Sequence, residues 1–204
     1  MIEKTIFEFN DLLASASPTP GGGGVSALAA ALGTGLGVMV ARLTVGKKKY
    51  AEQEAELLAL SAEAETIRRR LLELVDEDAK CFEPLSRAYS LPKGLPGREE
   101  IMESCLLTAA SAPMEAAELC CRAIELMERF ARLGSALAVS DAGCGAALCG
   151  AALRSAALNV CVNTRLMKNR ETAEEMNGKI REMLAKYIPM AEETYHSVLE
   201  RLEE

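Results

Sequence analysis

The chain has 204 residues, half of them apolar, with 4% aromatics, no tryptophan and a formal net charge of −7. That length is enough for one domain with a sizeable core, and the dominance of alanine and leucine favours helix over sheet. The acidic balance argues against a nucleic-acid surface, which needs a basic field.

The N-terminal MIEKTIFEFND carries acids early and lacks an apolar stretch, so no secretory signal is expected. Residues Ile2 to Ala14 read as a short amphipathic helix with Ile6, Phe9 and Leu13 on one face. Prolines and four glycines make Ser15 to Gly24 a loop. Val25 to Val45 follows as a helix buried nearly all round, and Gly46 with Lys47, Lys48 and Lys49 ends it, as glycine and cations do at helix C-termini. Gly33 and Gly37 lie one turn apart and suit a close helix contact, from which a homodimer interface is expected.

Lys48 to Tyr89 reads as one long amphipathic helix. Its apolar stripe runs Leu57, Leu60, Ala64, Ile67, Leu71, Leu74, and the next step lands on Asp78. A carboxylate at a core-facing position is costly, and burial raises its pKa. Asp78 is therefore either a chemical group or an edge residue paired with a lysine. Leu91 to Gly97 breaks the chain, and Glu99 to Leu133 forms a helix that Pro113 is expected to kink. Asp141 to Met167 and Glu171 to Leu202 are the last two helices. Long helices and short loops predict one all-α domain spanning 1–204, an antiparallel bundle.

Within the fifth segment, Ala152, Ala156, Asn159 and Asn163 share a face. The alanines permit close approach, and the two amides either read a ligand edge or bond between packed helices. Ser140 and Asp141 open that segment, where a plain N-cap is the simplest reading.

Three other readings of the glycine stretch fail. Gly22, Gly24 and Ala27 fit G-x-G-x-x-A, but no strand precedes them. Gly46-Lys47 lacks the earlier glycine and the following hydroxyl of a phosphate loop. A membrane span is disfavoured because the Gly/Ala-rich run gains little from insertion. A glycine-rich turn feeding a helix N-terminus instead offers free N–H groups to an anion or a polar heterocycle. Seven cysteines, odd in number and with Cys120 beside Cys121, read as reduced fillers in a cytoplasmic protein, and a single histidine, His196, leaves almost no material for a metal site.

The blocks SPTPGGGGVSALAAALG, MVARLTVGKKKY, VDEDAKCF, LPK and SDAGCGAALCGAALRSAALNVCVN, in that order, resemble the formiminotransferase-cyclodeaminase C-terminal family from about Phe7 onward. This resemblance implies an all-helical, dimeric folate enzyme with no tightly bound cofactor, no metal, and a tetrahydrofolate derivative as substrate. Formimidoyltetrahydrofolate cyclodeaminase comes first and methenyltetrahydrofolate cyclohydrolase second; a non-catalytic helical interaction module is the remaining alternative. On this reading Asp78 is the acid/base, and Asp141 a second base or partner of the cationic amidine. Ser17, Thr19, Gly21, Gly22, Gly23 and Gly24 hold the pterin or benzoyl-glutamate region. Ser26 caps or binds, Lys47, Lys48 and Lys49 meet the glutamate tail, and Asn159 and Asn163 read the pterin amide. The lysine triplet also fits a solvated helix end. In the family pattern a serine follows three glycines. Here Gly24 takes that place, so a hydroxyl contact is either lost or moved to Ser26.

Overall fold

A computed structural model describes all residues from Met1 to Glu204. It contains six α-helices and no strand: α1 (Ile6–Leu13), α2 (Gly22–Thr44), α3 (Glu54–Tyr89), α4 (Arg98–Leu133), α5 (Val139–Thr164) and α6 (Arg170–Glu203), with a short 3-10 turn at Lys48–Gln53.

Several boundaries differ from the sequence expectation for local reasons. α1 starts at Ile6 rather than Ile2, because Thr5 caps it and Glu8 reaches back to the Thr5 N–H, a reciprocal pair that fixes the first turn. Its apolar face is largely outside the core: Ile6 is 88% exposed, and Phe9 is the residue that packs inward. α2 begins at Gly22, so three of the four glycines form its first turn instead of a loop. Gly46, just past the end of α2, takes a left-handed φ of 81° that glycine adopts without strain, and the helix expected from Lys48 is interrupted because Tyr50 leaves helical geometry before α3 begins at Glu54. Pro113 lies inside α4, which runs on through it as one helix.

The helices form a row, α3, α2, α5, α6, in which each neighbouring pair is antiparallel, and α4 packs across one side of the row. Gly33 and Gly37 are central to this arrangement. A Cβ on Gly33 would lie 2.8 Å from Cys149 Sγ on α5, and one on Gly37 would lie 2.3 Å from Met127 on α4. They serve packing within the chain, which corrects their assignment to a subunit interface. The predicted stripe on α3 is in the core: Leu57, Ala64, Ile67, Leu71 and Leu74 are all buried. With Phe130, Met127, Ile124 and Leu153 they form one continuous cluster, each large side chain contributing about 1.5–3 kcal/mol through burial. α2 and α5 are long and apolar enough to cross a membrane by composition, yet at least half of each one's apolar window is buried against its neighbours.

Candidate functional site

Asp78 stands at the end of the α3 stripe, opposite the first turn of α2. Its Oδ2 accepts a hydrogen bond from the Gly24 N–H at 2.8 Å. The approach is close because the facing residues lack side chains. A Cβ on Gly23 would fall 2.1 Å from Asp78 Oδ1, and one on Gly22 would fall 2.8 Å from Asn159 Nδ2. The glycine run is thus required by the carboxylate on one side and the amide on the other.

These groups line a cleft of about 160 Å³ bounded by Pro18, Thr19, Gly21, Gly22, Gly23, Asp78, Phe82, Ala109, Pro113, Asn159, Val162 and Asn163. The first-turn N–H groups of α2 have no partner within their own helix, so Gly22 and Gly23 offer donors at its positive end. The Asn159 amide donates to the Ser155 carbonyl and that of Asn163 to the Asn159 carbonyl, both at 2.8 Å. Each amide oxygen is left as an acceptor.

Two opposing effects act on Asp78. Burial pushes its pKa up from the ordinary carboxylate value, and the Gly24 N–H pulls it down; burial is the larger. Oδ2 is held by the backbone while Oδ1 has no protein hydrogen bond. A fixed, poorly solvated carboxyl with one free oxygen is suited to take and return a proton.

The structure gathers Thr19, Gly21, Gly22, Gly23, Asp78, Asn159 and Asn163 as the sequence predicted. Gly24 contributes through its N–H to Asp78, and Ser17 donates to the Thr19 carbonyl at 2.7 Å, bracing the turn instead of lining the cleft. Ser26 is 1% exposed and donates to the Gly23 carbonyl, so it neither caps α2 nor replaces the hydroxyl missing at Gly24. Asp141 and Lys47, Lys48 and Lys49 are elsewhere. α2 is 23 residues long, which at the helical rise sets its ends about 33 Å apart. The lysines lie at the end remote from the cleft, where Lys47 Nζ donates to Ser135 Oγ at 3.3 Å, and Asp141 opens α5 at that same end. Within one chain they do not join the site.

Sequence reasoning missed Phe82, Ala109, Pro113 and Val162 as cleft residues. Phe82 follows Asp78 by one helical turn and was legible as the next step of the stripe. Pro113 removes the N–H that would otherwise engage the Ala109 carbonyl, and both residues line the cleft. Their presence there depends on how α4 crosses α3, which no local pattern announces.

Comparison with known proteins places these features in context. The sequence pattern described as formiminotransferase-cyclodeaminase matches residues 5–182. The chain is 38% identical over 199 residues to a methenyltetrahydrofolate cyclohydrolase of Methylorubrum extorquens, covering 96% of both chains. It is 27% identical to the formimidoyltransferase-cyclodeaminase of Sus scrofa, across 81% of this chain but 30% of that longer one. The crystal structure of formiminotetrahydrofolate cyclodeaminase from Thermotoga maritima superposes with a TM-score of 0.83 at 29% identity, covering 98% of this chain and 96% of that one.

Proposed function

Because the chain belongs to the formiminotransferase-cyclodeaminase family, we propose that it is a folate one-carbon enzyme acting on the carbon held between the pteridine ring nitrogen and the bridge nitrogen of a tetrahydrofolate. The observation that carries this reading is the half-buried carboxylate of Asp78 set against the glycine turn, beside an aromatic ring and two amides.

The cyclohydrolase reaction is the reading favoured, by the 38% identity over both full lengths to a protein of that name. This reverses the order given by the sequence blocks. Water adds to the cationic methenyl carbon, forming a C–O bond, and Asp78 Oδ1 takes a proton from it. The C–N bond to the ring nitrogen then breaks, the same carboxyl returns the proton to that nitrogen, and one proton goes to solvent. The product is the formyl derivative. An ionised Asp78 also stabilises the cationic substrate before attack. The Gly22 and Gly23 N–H groups and the Asn159 and Asn163 amide oxygens supply donors and acceptors for the pterin edge, and Phe82 offers its ring.

Cyclodeamination is the second reading, favoured by the structural likeness to the Thermotoga maritima enzyme. Here the bridge nitrogen attacks the formimino carbon, Asp78 takes its proton, and the amine departs as ammonia after gaining one. Both reactions use the same carboxyl at the same carbon. We place the enzyme in a reducing cytoplasm as a homodimer. Burial pushes the Cys149 thiol up to about 12, and the Cys121 thiol likewise to about 12, in keeping with cysteines that act as inert packing groups.

The test is direct. The purified protein is mixed with methenyltetrahydrofolate and, separately, with formiminotetrahydrofolate, and the methenyl absorbance is followed. Loss of absorbance in the first assay supports the cyclohydrolase; a gain with ammonia release in the second supports the cyclodeaminase. No change in either defeats the assignment.

A further inference from the structure

Three helices carry a proline in their interior: Pro84 in α3, Pro113 in α4 and Pro189 in α6. Each lacks the N–H that would bond to the carbonyl four residues back, and each ring crowds that carbonyl, which makes proline the most costly residue inside a helix. Pro84 and Pro189 are exposed, as are Lys80 and Ala185, whose carbonyls they free, so water can take the place of the lost donor. Pro113 differs. It is buried, and Ala109, four residues before it, is 5% exposed. The nearby hydroxyls do not make up the loss: Thr108 Oγ1 donates to the Ser104 carbonyl at 3.0 Å, and Ser111 Oγ to the Thr108 carbonyl at 2.7 Å. A buried backbone acceptor without its donor is rare because it is costly.

The freed carbonyl borders the cleft. Ala109 and Pro113 stand in its wall together with Asp78. Two contacts between α3 and α4 fix the level: Arg70 Nε donates to Glu115 Oε1 at 2.6 Å, and Cys81 Sγ lies 3.8 Å from Ser111 Oγ. Asp78 falls between Arg70 and Cys81, so it is level with the stretch from Ser111 to Glu115. A helical carbonyl points toward the C-terminal end of its helix, which aims that of Ala109 at this same level. The cleft measures only about 160 Å³, so one small group between its walls reaches both the Ala109 oxygen and the free Oδ1 of Asp78.

We propose that the Ala109 carbonyl, kept free by Pro113, accepts a hydrogen bond from the donor carried at the reacting carbon and so positions that donor against Asp78. The inference rests on the folate reading and adds a second polar group to its chemistry. When water attacks the methenyl carbon, the C–O bond forms as Asp78 Oδ1 takes one of its two protons. The other O–H is held by the Ala109 oxygen, which turns the water's lone pair toward the carbon. The C–N bond to the ring nitrogen then breaks, Asp78 returns its proton to that nitrogen, and the held O–H proton leaves to solvent as the formyl C=O forms. In cyclodeamination a formimino N–H takes the same place. The carbonyl never holds a proton itself, and its negative end faces a cationic carbon. Pro113 is a positioning residue: it acts by withholding an N–H.

Pro113→Ala tests this. The variant regains the N–H, which bonds to the Ala109 carbonyl along the helix and removes the acceptor. It is expected to melt at or above the wild-type temperature, with KM within about twofold and kcat lowered about 10- to 100-fold. Lactic acid placed at position 113 by nonsense suppression has the methyl group of alanine but an ester oxygen where alanine has its N–H. The carbonyl stays free, and kcat is expected within about threefold of wild type. Pro189→Ala, exposed and outside the cleft, is expected to leave kcat unchanged. With an active wild-type enzyme, a Pro113→Ala variant of undiminished kcat overturns the proposal alone. So does a lactic-acid enzyme as slow as the alanine variant, because the ring and not the free carbonyl is then what turnover needs. A wild-type protein that turns over neither folate defeats the functional reading and this proposal together.

Discussion

The carboxylate of Asp78 accepts a hydrogen bond from the Gly24 N–H at 2.8 Å, joining residues 54 positions apart in the chain. This bond orients the carboxyl and leaves its second oxygen facing the cleft chemistry. Asp78→Asn keeps an acceptor for the Gly24 N–H but cannot carry a proton. We expect a fall in kcat of about 10²–10⁴-fold with a native circular dichroism spectrum. Methenyl absorbance under saturating folate is the measurement, and wild-type turnover by the variant would contradict the assigned role.

The same residue sets a pH dependence of stability. Burial raises the Asp78 pKa in the folded state, so the folded protein holds this proton at pH values where the unfolded chain has lost it. Stability is full below the ordinary aspartate value and falls as pH rises through the raised one, levelling off above it. Asp78→Asn removes that loss. The variant should melt higher than wild type at pH 7, with the gap closing as pH is lowered past the unfolded-state value. Thermal scans across that range check the sign.

Gly23→Ala places a Cβ where Asp78 Oδ1 now lies, 2.1 Å away. Either α2 or the carboxyl must shift. A destabilisation of about 1–3 kcal/mol, typical of overpacking, should accompany loss of activity. Gly21→Ala is the control, because its nearest neighbour would be 3.9 Å away in ordinary contact. Denaturant melts of the pair separate a local clash from a general intolerance of alanine in the turn.

Phe82 lines the cleft one turn beyond Asp78. If its ring contacts the pterin, Phe82→Leu keeps an apolar wall but loses the aromatic face. We expect KM to rise about 3- to 10-fold with kcat little changed, in line with the worth of an aromatic pair. A fall in kcat alone would instead point to a positioning role for the ring.

Much of this was legible in the sequence because helices have a fixed period. The steps from Leu57 to Leu74 pointed Asp78 toward the core, and the structure buries that stripe and sets the carboxyl at its end. Proline and glycine marked breaks at Ser15–Gly24 and Leu91–Gly97 because they disfavour regular backbone, and the structure keeps the first of them only as far as Gly21. Where the local rules competed, the boundary moved: Gly22 to Gly24 form the first turn of α2, and they are glycines there because Asp78 and Asn159 leave no room for side chains, a contact invisible in the run itself.

What the sequence alone determined is which residues share a helical face, since that follows from rotation per residue along one chain segment. What the tertiary structure decided is which ends of which helices meet. The antiparallel pairing of α2 with α3 and α5 brings Gly22–Gly24 to Asp78 and Asn159, and it carries Lys47 and Asp141 to the far end of the same helices. Periodicity carries no record of that pairing. It is fixed by the interlocking of side chains between helices, which must fill a common core without voids.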